Sequence, residues 1–163
     1  MTYQYHEELL LPHAREPVFR FFSTPENLDL LTPPWVKFSI LTPTPIEMGL
    51  GAIIDYRISL HRVPFKWKSE ISVWKPPFEF CDLQVKGPYR YWLHRHTFEE
   101  TPEGTLVTDH VDYRVPFGWP VERLFVAREL RQIFRHRRMR LLEIFSQGNR
   151  RSGQPLYSLN DLP

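Results

Sequence analysis

Several features are scarce in this sequence, and each absence excludes a class of protein. The chain has a single cysteine, Cys81, which excludes an internal disulfide and a cysteine-rich zinc module. No run approaches the roughly 20 consecutive apolar residues of a membrane span. The first residues include Glu7 and Glu8 and lack the basic and apolar pattern of a signal peptide. We therefore expect a cytoplasmic protein without stable membrane insertion.

The sequence motifs of two common enzyme classes are also missing. There is no Gly-x-Ser-x-Gly nucleophile elbow of a hydrolase. The segment Gly49-Leu50-Gly51 lacks the later glycine of a phosphate-binding loop and precedes a strand pattern instead of a helix. A lone thiol within a strand, such as Cys81, is typically buried and inert. Neither nucleophilic catalysis nor nucleotide binding is indicated, and we expect no cofactor.

Large aromatic side chains, in contrast, are abundant. They make up 15% of the 163 residues, and so many rings either fill a thick core or line an apolar cavity. The length suits one domain, which we place at residues 1–147, followed by an irregular tail over 148–163.

The hydrophobic patterns predict an α+β protein. A strand over 2–11 is followed by short helices over 15–23 and 24–31, the second with Thr24 as its N-cap. Period-2 segments between Val36 and Val115 predict six more strands with short antiparallel connections, and helical spacing predicts one long helix over 120–147. Only that helix is large enough to cover the apolar face of a seven-stranded sheet. We expect a curved antiparallel sheet wrapped around the helix, with a cavity where the short helices fill the gap incompletely.

One predicted hairpin carries polar residues on its apolar face. If residues 101–104 form its turn, His96 lies opposite Asp109, and Trp92 lies opposite Tyr113. His94 falls on the same face. Residues directly opposite each other are about 5 Å apart at Cβ, which is close enough for an imidazole to hydrogen-bond a carboxylate.

Three interpretations of this polar cluster stay open. It can be a buried pair that fixes the register of the hairpin. It can supply the few polar groups of an apolar ligand pocket, where a histidine oriented by Asp109 also serves as general acid and base. It can also be a metal site formed by His94, His96 and Asp109, but this pattern is common by accident and we assign no metal ligand.

A resemblance to a known family adds to these patterns. The segments Gly87-Pro88-Tyr89-Arg90-Tyr91-Trp92-Leu93-His94-Arg95-His96-Thr97-Phe98, Asp109-His110-Val111-Asp112-Tyr113 and Val115-Pro116-Phe117-Gly118 resemble the helix-grip superfamily, also called SRPBCC or START-like. The closest similarity is to its bacterial ligand-binding branch and to polyketide cyclase/dehydrase-like proteins. The resemblance covers residues 1–147 and implies the helix-grip fold, while it leaves the function open because the superfamily contains both carriers and cyclases.

The candidate site follows from the cluster together with this resemblance. The resemblance implies that Phe80 and Gln84 face the cavity. The hydrophobic pattern alone leaves the orientation of strand 78–85 open. Ser69 interrupts an apolar face, and the apolar walls come from Tyr56, Trp67, Trp92, Phe125 and Phe134. The full set of predicted ligand-binding residues is Tyr56, Trp67, Ser69, Phe80, Gln84, Trp92, His94, His96, Asp109, Tyr113, Phe125 and Phe134.

We expect this protein to bind or transport a small hydrophobic molecule, lipid-like or polyketide-like, between the sheet and the C-terminal helix, as a monomer or homodimer. The first alternative is a cyclase or dehydratase that uses His96 and Asp109 as acid and base, with Tyr113 or His94 as hydrogen-bond donor. The second is binding of RNA or a membrane surface by the seven arginines of residues 119–147. Such a stripe is more often the solvated side of an amphipathic helix, so we expect no nucleic-acid partner.

Overall fold

A computed structural model describes residues 1–147, and the predicted tail over 148–163 lies outside the described residues. One antiparallel sheet of seven strands runs in the order β1-β7-β6-β5-β4-β3-β2. The strands are β1 (Tyr3–Leu11), β2 (Val36–Ile40), β3 (Ile53–Leu60), β4 (Val63–Lys75), β5 (Glu79–Lys86), β6 (Tyr91–Thr101) and β7 (Gly104–Arg114). The predicted α+β class and the predicted number of strands are confirmed.

The hairpin of β6 and β7 has the predicted register. His96 pairs with Asp109 and Trp92 pairs with Tyr113 across the two strands. Side chains alternate between the two faces of a strand, and the face that carries these residues is buried. Its members are Trp92, His94, His96, Phe98, Thr105, Val107, Asp109, Val111 and Tyr113.

Two short helices follow β1, as the sequence predicts. Helix α1 spans Arg15–Phe22, and a 3₁₀ turn at Pro25–Asn27 leads into α2 at Leu28–Leu31. Thr24 is the N-cap residue, as predicted, but its side chain makes no capping hydrogen bond. The Thr24 hydroxyl instead donates to the carbonyl oxygen of Arg20 (2.7 Å), which satisfies a free acceptor at the end of α1.

The C-terminal helix is interrupted by a wider turn. Helix α3 (Trp119–Val121) continues into a π-helical turn (Glu122–Val126) and then into α4 (Ala127–Gln147). A π turn closes i→i+5 hydrogen bonds, so residues five apart lie on the same side. Val121 and Val126 therefore both face the sheet. In an uninterrupted α-helix of 3.6 residues per turn, two residues five apart would lie on different sides. Within the described residues, none of the helices is both long and apolar enough to cross a bilayer.

The buried apolar residues form two clusters at opposite ends of the space between sheet and helix. The larger one joins β1 and α1 to the C-terminal half of α4 through residues such as Leu11, Phe19 and Phe145. The smaller one joins β6 and β7 to the first turns of α4 through Trp92 and Phe134. The space between the two clusters is not filled.

Candidate functional site

A cavity of about 460 Å³ lies between the concave face of the sheet and the C-terminal helix. Its walls come from β2 to β6, α2 and α4, and they are predominantly apolar. The polar or charged side chains at the wall, apart from tyrosine and tryptophan, are Ser23, Thr32, Ser69, Asp82, His94, His96, Glu129 and Arg137. A largely apolar cavity with few polar groups is the usual form of a small-molecule site.

Eight of the twelve predicted site residues line this cavity. They are Tyr56, Trp67, Ser69, Phe80, Trp92, His94, His96 and Phe134. The Ser69 hydroxyl accepts a hydrogen bond from the indole nitrogen of Trp67 (2.9 Å), and its own O–H remains a donor.

The other four predicted residues lie elsewhere. The Tyr113 hydroxyl donates to Glu122 (2.8 Å) instead of pointing into the cavity. Gln84 lies on the same strand face as Phe80, but its amide donates to the carbonyl oxygen of Tyr89 (2.8 Å). Asp109 lies behind the histidines, next to β1 and α4.

The placement of Phe125 in the cavity wall is also wrong. Its side chain is 67% exposed. Phe125 and Phe134 are nine residues apart, which is two and a half turns of an α-helix. The two rings therefore project from opposite sides of the helix, and only Phe134 faces the sheet.

Two carboxylates enclose the two buried histidines. Nε2 of His94 donates a hydrogen bond to Oδ1 of Asp109 (3.1 Å), and Nδ1 of His96 lies 2.6 Å from the same oxygen. The direction of this second contact is poor, so Nδ1 of His96 has no well-formed hydrogen bond. On the cavity side, Oδ2 of Asp82 lies 3.4 Å from Nε2 of His96 and 3.8 Å from Nδ1 of His94.

The charges of this cluster follow from its contacts. Burial alone would lower the pKa of His96, but Asp109 and Asp82 outweigh it and raise that pKa. Burial and the neighbouring imidazole of His96 lower the pKa of His94, which is therefore neutral. Burial also opposes ionisation of the two carboxyls, yet Arg137 and the histidines hold the pKa of Asp109 well below its usual value, and the histidines do the same for Asp82 to a lesser degree.

Arg137 completes the charge balance of the site. Its Nε lies 3.9 Å from Oδ2 of Asp109, and its guanidinium lies over the ring of Phe22. The Arg137 guanidinium and the His96 imidazole, whose raised pKa favours its protonated form, thus face the carboxylates of Asp82 and Asp109. The charges of these four groups balance when His96 is protonated.

Asp82 and Arg137 are absent from the predicted set, although the sequence carries a signal for each. Asp82 is two residues from Phe80 and so shares its strand face. Arg137 is three residues after Phe134 and so lies on the same side of α4. The sequence interpretation placed every helical arginine on the solvated side, and for Arg137 this is wrong.

The other arginines of α4 divide into bound and exposed groups. Arg138 donates to Glu7 (3.2 Å) and to the carbonyl oxygen of Glu8 (2.9 Å), both on β1. Arg140 donates to the carbonyl oxygen of Leu30 (3.2 Å). These contacts connect the helix to β1 and α2. Arg131 and Arg135, in contrast, are exposed.

Glu129 closes the opposite end of the cavity from α4. One of its oxygens accepts a hydrogen bond from the indole of Trp35 (2.9 Å), and the other lies 3.1 Å from Nε2 of His61. Both partners are partly exposed, so this end of the cavity is bounded by polar contacts at the surface.

Comparisons with known proteins agree with this fold. Protein CV1439 from Chromobacterium violaceum is 11% identical, with a TM-score of 0.69 over 87% of this chain and 96% of that chain. The di-domain ARO/CYC StfQ of the steffimycin biosynthetic pathway is 13% identical, with a TM-score of 0.65 over 92% of this chain and 52% of that chain. The major latex-like protein 151 of Panax ginseng is 16% identical, with a TM-score of 0.61 over 85% of this chain and 97% of that chain.

These structures share the fold at identities too low to carry a function. No curated protein matches the chain. A sequence model of the family described as "Polyketide cyclase / dehydrase and lipid transport" matches residues 11–143, which include β2 to β7 and most of α4 but only the last residue of β1. With its seven-stranded curved sheet, long C-terminal helix and apolar cavity, this chain belongs to the polyketide cyclase/dehydrase and lipid transport family.

Proposed function

We propose that the protein binds a small hydrophobic molecule with one neutral polar end, and that it acts as a carrier or sensor of that molecule. The observation that carries this proposal is the apolar cavity of about 460 Å³ in which Asp82, His94, His96 and Arg137 are gathered on one wall. Ligand cavities typically measure roughly 300–1,000 Å³ and are mostly apolar. Burial of apolar ligand surface supplies the affinity, and the polar wall sets the orientation.

The charge balance of the wall indicates the nature of the polar end. Asp82 and Asp109 are compensated by His96 and Arg137, so an ionised ligand group would bring an uncompensated charge into the cavity. A hydroxyl can donate to Asp82, and a carbonyl oxygen can accept from Arg137 or His96. The proposal therefore favours alcohols and ketones of lipid-like or polyketide-like character over free fatty acids.

The first experiment looks for the ligand and for the cavity's role in binding it. Purified protein is denatured and extracted, and released small molecules are identified by mass spectrometry. The neutral dye Nile red is then titrated against the protein and followed by its fluorescence. The variant Ile133→Trp, which fills the cavity from α4, should weaken Nile red binding by at least about tenfold, equivalent to about 1.4 kcal/mol.

Met139→Trp is the matched control, because Met139 lies on the same helix, is exposed, and is not part of the cavity wall. It should bind Nile red as the unmodified protein does. The proposal fails if the two variants bind the dye equally well, or if the unmodified protein neither releases a small molecule nor binds the dye saturably.

A second candidate function is an enzyme of cyclase or dehydratase type. It is favoured by His96, which lies between two carboxylates at the cavity wall, as a general acid and base requires. Tyr113 cannot serve as its hydrogen-bond donor in this arrangement, since that hydroxyl is bound to Glu122. Incubation of the released molecule with fresh protein separates the two functions: a carrier returns it unchanged, and an enzyme returns a product of different mass or retention time.

The expectations of a cytoplasmic location, of a monomer or homodimer, and of no nucleic-acid partner stay predictions.

A further inference from the structure

We propose that Asp82, His94 and His96 bind a divalent transition-metal ion, such as Zn²⁺, with a free coordination position that faces the cavity. This goes beyond the binding of a hydrophobic molecule. The neutral polar end proposed above belongs to the metal-free site, because a bound divalent ion adds positive charge to the same wall. Among the described residues, these three offer ligand atoms that lie within 4.8 Å of one another.

The spacing of the ligand atoms suits a metal ion. Zn²⁺ binds imidazole nitrogen and carboxylate oxygen at about 2.0–2.2 Å, so neighbouring ligands of a tetrahedral site lie about 3.4 Å apart. Oδ2 of Asp82 is 3.4 Å from Nε2 of His96 and 3.8 Å from Nδ1 of His94. Both separations from Asp82 are therefore within about 0.4 Å of the tetrahedral spacing.

The backbone places these three side chains on one rigid surface. Asp82 on β5 pairs directly with His94 on β6, and His96 follows two residues later on the same face. Adjacent central strands of a sheet hold their side chains more accurately than loops do, which favours a preorganised metal site.

Asp109 orients both histidines from behind. A single oxygen of its carboxylate contacts Nε2 of His94 and Nδ1 of His96. A carboxylate only accepts hydrogen bonds, so it favours protons on these two nitrogens and leaves Nδ1 of His94 and Nε2 of His96 as the ring atoms available to a metal ion. A carboxylate behind the imidazole is the common arrangement around metal-bound histidines.

The side of the cluster that faces the cavity, opposite Asp109, consequently needs a cation. Nδ1 of His94, Nε2 of His96 and the carboxylate of Asp82 converge there, and these groups repel one another as acceptors unless a proton or a metal ion lies between them. In the metal-free protein a proton on Nε2 of His96 takes this place, and a bound metal ion displaces it. Two nitrogen ligands and one oxygen ligand suit Zn²⁺, Co²⁺ or Fe²⁺ better than Mg²⁺ or Ca²⁺, which prefer oxygen alone.

This site differs from the one considered from the sequence. There the third ligand was Asp109, opposite His96, whereas the structure places Asp109 behind the imidazoles and brings Asp82 from β5 to the front. All three proposed ligands line the cavity, so a fourth position is open to water or to an oxygen atom of the bound molecule.

The test uses Co²⁺ as a spectroscopic probe on the full chain after chelator treatment and dialysis. Titration at micromolar protein should show one equivalent of bound Co²⁺ with visible d–d absorption bands, and Zn²⁺ should compete for the same site, because imidazole and carboxylate ligands at tetrahedral spacing suit it. His94→Gln and Asp82→Asn should abolish the bands. Asp109→Asn should keep the bands but weaken binding by about 10–100-fold, because it removes only the orienting carboxylate.

His110→Gln is the matched control. His110 lies on β7 of the same hairpin and faces outward beside Asp112 (3.4 Å). It should bind Co²⁺ as the unmodified protein does. Absence of the bands, their survival in His94→Gln, or their loss in His110→Gln overturns the proposal.

A second measurement requires no variant and so does not depend on the folding of one. Zinc X-ray absorption of the unmodified protein loaded with one equivalent of Zn²⁺ should show scattering from two imidazole rings at nitrogen distances of about 2.0–2.1 Å. A coordination shell without imidazole scattering overturns the proposal.

Discussion

At the scale of single residues, the site depends on buried groups of opposite charge that stabilise one another. Asp109 contacts both histidines and lies 3.9 Å from Arg137. The Arg137 side chain is mostly buried, and it is the largest of the influences that lower the pKa of Asp109. Arg137 therefore stabilises an anion that burial alone would strongly disfavour.

Replacement of Arg137 by methionine tests this role. Arg137→Met should lower the free energy of unfolding by about 3 kcal/mol, because removal of one partner leaves a buried charge undercompensated. Arg135→Met, on an exposed position of the same helix, should change it by less than about 0.5 kcal/mol. Urea denaturation at neutral pH measures both, and equal effects of the two substitutions would show that Arg137 is only a surface arginine.

The sequence predicts one half of the polar cluster and misses the other half for a physical reason. His96 and Asp109 lie on strands joined by a short turn, so counting back from residues 101–104 pairs them directly. Asp82 comes from β5, whose pairing with β6 depends on the longer connection 87–90. The pattern of β5 is nearly as apolar on both faces, and only the packed structure shows which one meets the cavity.

At the scale of elements, the hairpin register is fixed by a close approach of backbone at Gly104. This residue has a φ of +138°, and a Cβ atom there would collide with the carbonyl oxygen of Leu11, the last residue of β1, and with the backbone of Pro12 after it. Both features exclude a side chain at the start of β7. The turn consequently holds His96 opposite Asp109.

Gly104→Ala should lower the free energy of unfolding by at least about 2 kcal/mol, because the new methyl group meets backbone atoms and the backbone conformation is strained for alanine. Gly49→Ala is the matched control, since a Cβ at Gly49 meets nothing within 4 Å. That substitution should leave stability unchanged or raise it by up to about 1 kcal/mol, by restricting the unfolded chain. Thermal unfolding of both variants decides whether the close approach at Gly104 fixes the turn.

The C-terminal helix has one feature that the hydrophobic pattern of the sequence does not predict. Apolar spacing predicts one continuous helix over 120–147, and α4 confirms most of it. A spacing of 3.6 does not predict the π turn at Glu122–Val126, which the structure shows together with Val121 and Val126 at the cavity wall. The same turn region carries Phe125, which the sequence placed at the wall and the structure places in solvent.

At the scale of the whole molecule, the cavity exists because two packed clusters hold the sheet and helix apart. Residues inside a cluster are surrounded by other side chains, whereas residues at the cavity wall have contacts on one side only. Leu11 of β1 is fully buried in the larger cluster, and Leu60 of β3 is a half-buried wall residue. The order of elements predicts such a gap, but its volume depends on how every ring packs, which no sequence pattern specifies.

The same substitution at these two leucines should therefore separate stability from binding. Leu11→Ala should lower the free energy of unfolding by about 3 kcal/mol, since it opens a void in close-packed surroundings. Nile red affinity should stay within about twofold, because the wall is untouched. Leu60→Ala should lower the free energy of unfolding by less than about 1.5 kcal/mol, because its side chain already faces empty space on one side, while Nile red affinity falls severalfold. Urea denaturation and dye titration measure the two quantities, with Leu11→Val as a smaller truncation if the alanine variant does not fold. Equal losses of stability at both positions would mean that the space between the two clusters closes in solution.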